Sequence, residues 1–210
     1  MRVCTYIITV DSGLAPNPFW GYCTLAVCTP NHMGVRLVKG DWVIGFLSKS
    51  RGNKLLYAMN IDKVVDFNEY YRNKKYFKKR PNLAGTWQER CGDNIYYKNE
   101  AGDWAQTKTI YHRGMLEKDT KYPRAFISDK FYYFGESAIT IPNQFIDLVP
   151  KRQGVKCNHD PSLAASFVNW IEKNNKCGIQ GEPIDNVERT KANKKLKNDC
   201  FSRCAPSATC

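Results

Sequence analysis

Four short apolar runs rich in β-branched residues, each set off by Gly-, Pro- or Asn-bearing loops, fill the first 65 residues and point to a β-rich core. They are "VCTYIITV" (3–10), "GYCTLAVC" (21–28), "DWVIGFL" (41–47) and "KLLYAMNIDKVV" (54–65). The connection "SKSRGN" between the last two carries the Gly and Asn punctuation of a hairpin. The first run is too short and too β-branched for a secretory signal and is followed by Asp11 rather than a small-residue cleavage site.

The period changes at Asp66. Phe67, Tyr70, Tyr71, Lys74 and Phe77 fall on one helical face, and Asp66 with Glu69 three residues on makes a capping-box pattern, so a helix is expected over 66–80. Further on, "CGDNIYYKNEAGDWAQ" (91–106) reads as a hairpin turning at "NEAGD", and "RAFISDKFYYFG" (124–135) as one strand. A second helix starts at Asp160 and Pro161 and lines up Leu163, Phe167, Trp170 and Ile171. From Glu188 the chain is Lys- and Asn-rich with little periodicity. The expected organisation is one domain over 1–187 and a basic tail over 188–210.

A mean hydropathy of −0.54 argues against membrane spans. Nine cysteines, an odd number, without an export signal read as reduced thiols in a cytoplasmic protein. Thirty-two Lys and Arg against 20 Asp and Glu leave a net charge of +12, a balance attracted to polyanions and above all to nucleic acid. The densest basic cluster is on the first helix, where Arg72, Lys74, Lys75, Lys78, Lys79 and Arg80 form either a solvated face or a phosphate-contacting one. Lys49 joins Arg72, Lys75, Lys78, Lys79 and Arg80 as candidate phosphate contacts.

Phosphate-loop, dinucleotide, zincin and nucleophile-elbow signatures are all missing, and no C-x-x-C occurs. No cofactor is expected. Cys157, His159, Cys177, Cys200 and Cys204 do not have the spacing of a zinc ribbon or finger, so no metal is expected either. The acid–base candidates are Asp11, Asp93 and Asp129, each beside a candidate strand, and His112. Among the aromatics, Phe19, Trp20, Trp42 and Tyr57, with Asn17 and Asn94 able to read a base edge, are the candidate base-binding set. The loop "DSGLAPNPFWG" (11–21) is expected to form a proline-braced rim with Trp20 or Phe19 as its stacking surface.

The stretch "KGDWVIGFLSKSRGNKLLYAMNIDKVVDFNEYY" (39–71), a glycine–acid pair, two apolar strands about a turn and an aromatic helix start, resembles the β-barrel core of PUA-like domains such as ASCH, EVE and YTH. Across residues 1–185 the chain is similar to the second nucleotide-modification-associated domain family. The segments "DSGLAPNPFWGYCTLAVCTP", "KGDWVIG", "NEYYRNKKYFKKRP", "GDNIYY", "ISDKFYYFG" and "FVNWIE" carry that resemblance. It implies an α+β fold, a small, mostly antiparallel PUA-like barrel with flanking helices, and a role in phage or bacterial systems that make or handle modified bases. In EVE and YTH domains an aromatic cage surrounds the base.

Three functions are carried forward. The first is recognition of a modified nucleobase or nucleotide by an aromatic pocket and a basic helix, with nucleic acid or a modified nucleotide as partner. The second is an enzyme acting on modified nucleotides through the strand-end acids. The third is an interaction protein, to which no residue points.

Overall fold

The computed structural model describes residues 1–27 and 33–190. Strand β1 (Val3–Ile8) runs parallel to β3 (Trp42–Leu47), pairing Val3 with Trp42 through to Ile8 with Leu47. All six residues of β3 are buried, which fits its unbroken apolar sequence, since a strand covered on both faces needs no polar alternation. The "SKSRGN" connection folds as a single 3-10 turn (Lys49–Arg51), closed by Gly52 and Asn53 in left-handed conformations, and delivers the antiparallel β4 (Leu55–Asn60).

The expected strand over 54–65 is two strands. Ile61 N–H bonds Asp41 C=O, whereas Asp62 N–H bonds Ile127 C=O, so the backbone changes partners between neighbouring residues and continues as β5 (Lys63–Asp66) in another sheet. The run over 124–135 divides in the same way at Asp129 into β8 (Arg124–Ser128) and β9 (Lys130–Tyr133). With β2 (Cys23–Leu25), β10 (Val155–Lys156) and β11 (Gly178–Ile179), the result is a six-stranded sheet ordered β10-β1-β3-β4-β9-β11 and a three-stranded sheet ordered β2-β8-β5. Most ladders are antiparallel, so the fold is mixed α+β as expected. The sheets do not close into a barrel among the described residues, because no ladder joins their outer strands.

The first core packs the sheets together through Tyr6, Val43, Leu56, Tyr57 and Phe126. The second lies on the opposite face of the large sheet, beneath α4 (Pro161–Asn174) and the 3-10 segment Asn143–Leu148. Asp160 caps α4 by accepting Leu163 N–H at 2.7 Å, and Pro161 occupies its first turn, as expected. The third core covers the outside of the small sheet with α1 (Phe67–Arg72) and the hairpin β6 (Tyr96–Lys98) to β7 (Trp104–Gln106). Two short helices, α2 (Trp87–Arg90) and α3 (Leu116–Thr120), complete the described α-helices.

The helix expected over 66–80 ends at Arg72. Asn73 takes an extended backbone, and its side chain accepts Lys75 N–H, opening a separate 3-10 segment (Lys74–Lys79). That change of pitch turns Tyr76 and Lys79 inward and leaves Phe77 outside.

The expectation of reduced thiols throughout is corrected at one pair. The antiparallel register that sets Thr5 against Lys156 brings Cys4 opposite Cys157, and the two form a disulfide. Cys23, Cys91 and Cys177 are free, and Cys200 and Cys204 lie outside the described residues. No described helix is long and apolar enough to cross a membrane.

Candidate functional site

Beneath the 11–21 loop lies a buried polar node. Gly92 permits it: a β-carbon there would stand 2.3 Å from Lys79 C=O, so only glycine lets the backbones of 91–94 and 79–81 touch. The approach puts Asp93 beside Thr24 Oγ1, which donates to it at 2.7 Å, and Tyr70 Oη, which donates at 2.8 Å. Lys79, 1% exposed, gives its three ammonium protons to Asn17 C=O, Asn17 Oδ1 and Tyr22 C=O at 2.8, 2.8 and 2.6 Å. Burial pulls this ammonium down to about 8, while the Asp93 charge pulls it up. Burial likewise raises the Asp93 carboxyl, against the opposing influences of Lys79, Thr24 and Tyr70, and pushes the Cys23 thiol up to about 12. Asn94 donates to Tyr70 and Tyr76 C=O. Five sequence candidates, Asn17, Asp93, Asn94, Lys79 and the loop itself, thus meet in an internal clamp that holds the rim.

Asp11 lies at the loop's other end, accepting Tyr133 Oη at 2.6 Å and Ile184 N–H at 3.0 Å. The following residue, Asp185, binds Arg51 through two parallel bonds of 2.8 and 2.7 Å and also accepts Asp11 N–H. Asn186 reaches Ser12 C=O and Cys91 Sγ. Residues 183–190 are therefore a strap across the rim loop, continued by the Arg90–Glu188 ion pair.

The Asp11 carboxyl of the rim loop and the Asp185 carboxyl of the strap titrate in opposite senses about their ordinary value of 3.8. Arg51 holds Asp185 below it, so the unfolded chain takes that proton first and stability falls as pH drops through the window beneath 3.8. Burial raises Asp11, so the folded state keeps that proton longer and stability falls as pH rises above 3.8. Asp185→Asn is expected to remove only the acid-side loss. In urea titrations the stability difference between parent and variant should shrink between about pH 5 and pH 2, and a constant difference would refute the assignment.

Outside the clamp is an exposed aromatic–cationic face. Trp20, at a left-handed φ of 65°, is 37% exposed and Phe77 42%, whereas Phe19 is 8% exposed and packs edge-on against Trp87. Lys78 Nζ lies 5.5 Å from the Trp20 ring, and the Arg80 guanidinium is held between Tyr71 and Phe77 at 3.8 and 4.0 Å. Trp20, Phe77, Lys78 and Arg80 line a hollow of about 310 Å³ with Asn82 and Glu89. Arg72 and Lys75 are exposed on the same basic segment, and Lys75 Nζ sits 4.6 Å from the Tyr22 ring.

The remaining candidates lie elsewhere. Trp42 and Tyr57 are 2% and 0% exposed, in the two sheet cores. Asp129 is exposed in the β8–β9 turn, so the three strand-end acids do not converge. Lys49 lines a different cleft, with Lys151 and Arg152. His112 pairs through Nδ1 with buried Asp119 at 2.7 Å, and Tyr96 donates to the same carboxylate oxygen at 2.5 Å. Sequence reasoning overlooked Asp119; its only signal was a carboxylate seven residues after the histidine, across a loop and a helix start.

A small two-sheet α+β domain, with a buried lysine–carboxylate clamp holding an exposed aromatic and cationic rim, is the class that this geometry defines. Residues 1–190 match the family described as nucleotide modification associated domain 2, and the chain belongs to that family. No curated protein and no solved structure matches it.

Proposed function

We propose that the protein recognises a modified nucleobase, in nucleic acid or as a nucleotide, within a cytoplasmic nucleotide-modification system, using the Trp20–Phe77 face. The observation that carries this reading is the exposure of Trp20 and Phe77 around a base-sized hollow whose rim is cationic. A ring stacked on a base contributes roughly 1–3 kcal/mol, and neighbouring cations add phosphate attraction that weakens with salt. Arg72, Lys75, Lys78 and Arg80 supply those contacts, while Lys79 acts from below by fixing the rim. Kinship with PUA-like domains would lie in a small β-rich core presenting a base-binding loop, here on the outside of the sheets. Recognition is favoured over turnover because Asp11 and Asp93 are committed to internal hydrogen bonds.

Tryptophan fluorescence tests the proposal. Short oligonucleotides carrying one modified base should quench Trp20 at high salt, and Trp20→Ala should weaken their binding roughly 10- to 100-fold at little cost in stability. Equal affinity of parent and variant for modified and unmodified strands, with binding lost entirely at high salt, would refute it.

A further inference from the structure

A second cleft opens where β1 runs out of partners. Strand β10 pairs only with Thr5 and Tyr6, because Gly154, at φ 126°, turns the chain away. On the opposite edge β3 stays paired as far as Ile8. Among the described residues no strand covers the outer edge of β1 beyond Tyr6, and backbone N–H and C=O groups at such an edge can be matched by a ligand's donors and acceptors.

Cavities flank that edge. One, of about 710 Å³, is lined by Lys49, Asn53, Lys151 and Arg152, with Asp147 as its acid. The other, of about 340 Å³, is lined by Tyr6, His112 and Lys118. Both are lined by Ile7, Thr9 and Gln153, so they meet across the end of β1. Lys49, Lys151 and Arg152 are exposed and belong to no ion pair among the described residues. Three cations against one carboxylate make this end electropositive. At the other end Asp119 holds the His112 ring by its Nδ1 side, which fixes the imidazole at the cavity wall.

We propose that this cleft is a second binding site, separate from the Trp20 face, for a 5′-phosphorylated nucleoside. The phosphate sits on Lys49, Lys151 and Arg152, and the base and sugar lie along the β1 edge towards Tyr6 and His112. The polarity of the cleft carries the assignment: three cations gathered at one end, and at the other a strand edge with an oriented imidazole and the single Lys118, match a ligand that is anionic at one end and a planar hydrogen-bonding ring at the other. The two cavities together have the volume such a ligand needs.

Calorimetry of the full chain with nucleoside 5′-monophosphates, the matching nucleosides and inorganic phosphate tests this site. Monophosphates should bind at least about tenfold more tightly than either fragment. Lys151→Ala/Arg152→Ala, at two exposed positions, should weaken monophosphate binding roughly 10- to 100-fold. His112→Gln should erode the preference for a monophosphate over inorganic phosphate. A strand with a 5′-terminal phosphate that binds as tightly as the monophosphate would identify a strand end as the ligand's source; much weaker binding would identify the free nucleotide. The described lining contains no tryptophan, so this heat is separable from Trp20 quenching. No binding at millimolar monophosphate would overturn the inference. So would binding that Trp20→Ala removes and Lys151→Ala/Arg152→Ala leaves intact, although the reading of the stacking face would then stand.

Discussion

Lys79→Met is expected to lower the unfolding free energy by about 3–5 kcal/mol, the scale for breaking a buried charge network from one side. The substitution keeps the stem but strips Asn17 C=O, Asn17 Oδ1 and Tyr22 C=O of their donor, and it leaves Asp93 without its compensating cation. Asp93→Asn harms the same node from the other side, because Thr24 and Tyr70 then donate to an amide rather than a carboxylate. The double variant should cost less than the sum of the singles by roughly 1–3 kcal/mol, since each single variant leaves one uncompensated charge that the double lacks. Urea unfolding of the four proteins at neutral pH checks this, and strict additivity would show that the two groups do not feel each other. Because these residues hold the rim, the single variants should also weaken ligand binding at the exposed Trp20.

Phe167→Ala should cost about 3–5 kcal/mol through a different mechanism, a cavity in an apolar core. Phe167 is fully buried, stacks on Phe46 with centroids 6.0 Å apart and on Trp170 at 5.6 Å, and meets Phe145 at 4.9 Å. Removing the ring unseats α4 from the large sheet. Ile146→Ala, at a position 48% exposed on the neighbouring 3-10 segment, is the control and should stay within about 0.5 kcal/mol of the parent. Thermal melts distinguish the two, and equal losses would mean that α4 does not anchor the sheet through this ring.

The sequence was most legible where local chemistry and periodicity agree. The hydrophobic run of β3, the Gly52–Asn53 closure and the Asp160–Pro161 start of α4 each combine a period with a turn or cap residue next to it. The breaks at Asp62 and Asp129 were hidden because a β-branched run reads alike whether it stays in one sheet or crosses to another; only pairing partners decide that. Lys79 could not be told apart within "KKYFKKR", because an Asn73 side chain resets the helical phase that an even periodicity would have continued. The aromatic site was half legible. Trp20 and Phe19 were both expected at a rim, but which ring faces outward depends on Trp87, far along the chain. The Asp119 partner of His112 and the disulfide opposite of Cys4 required tertiary register, which composition and spacing do not contain.

The strap across the rim loop also sets a schedule. Asp11 and Ser12 are synthesised more than 170 residues before the groups that bind them, on Ile184, Asp185 and Asn186. Domains fold as their chains emerge, and contacts of long sequence separation form last. During synthesis the loop bearing Trp20 therefore stays unsealed while the small sheet and most strands of the large one can already pair. The loop that bears Trp20 thus gains its lasting shape from a segment made after the strands beneath it, and a chain stalled before Ile184 would carry the loop without its fastening.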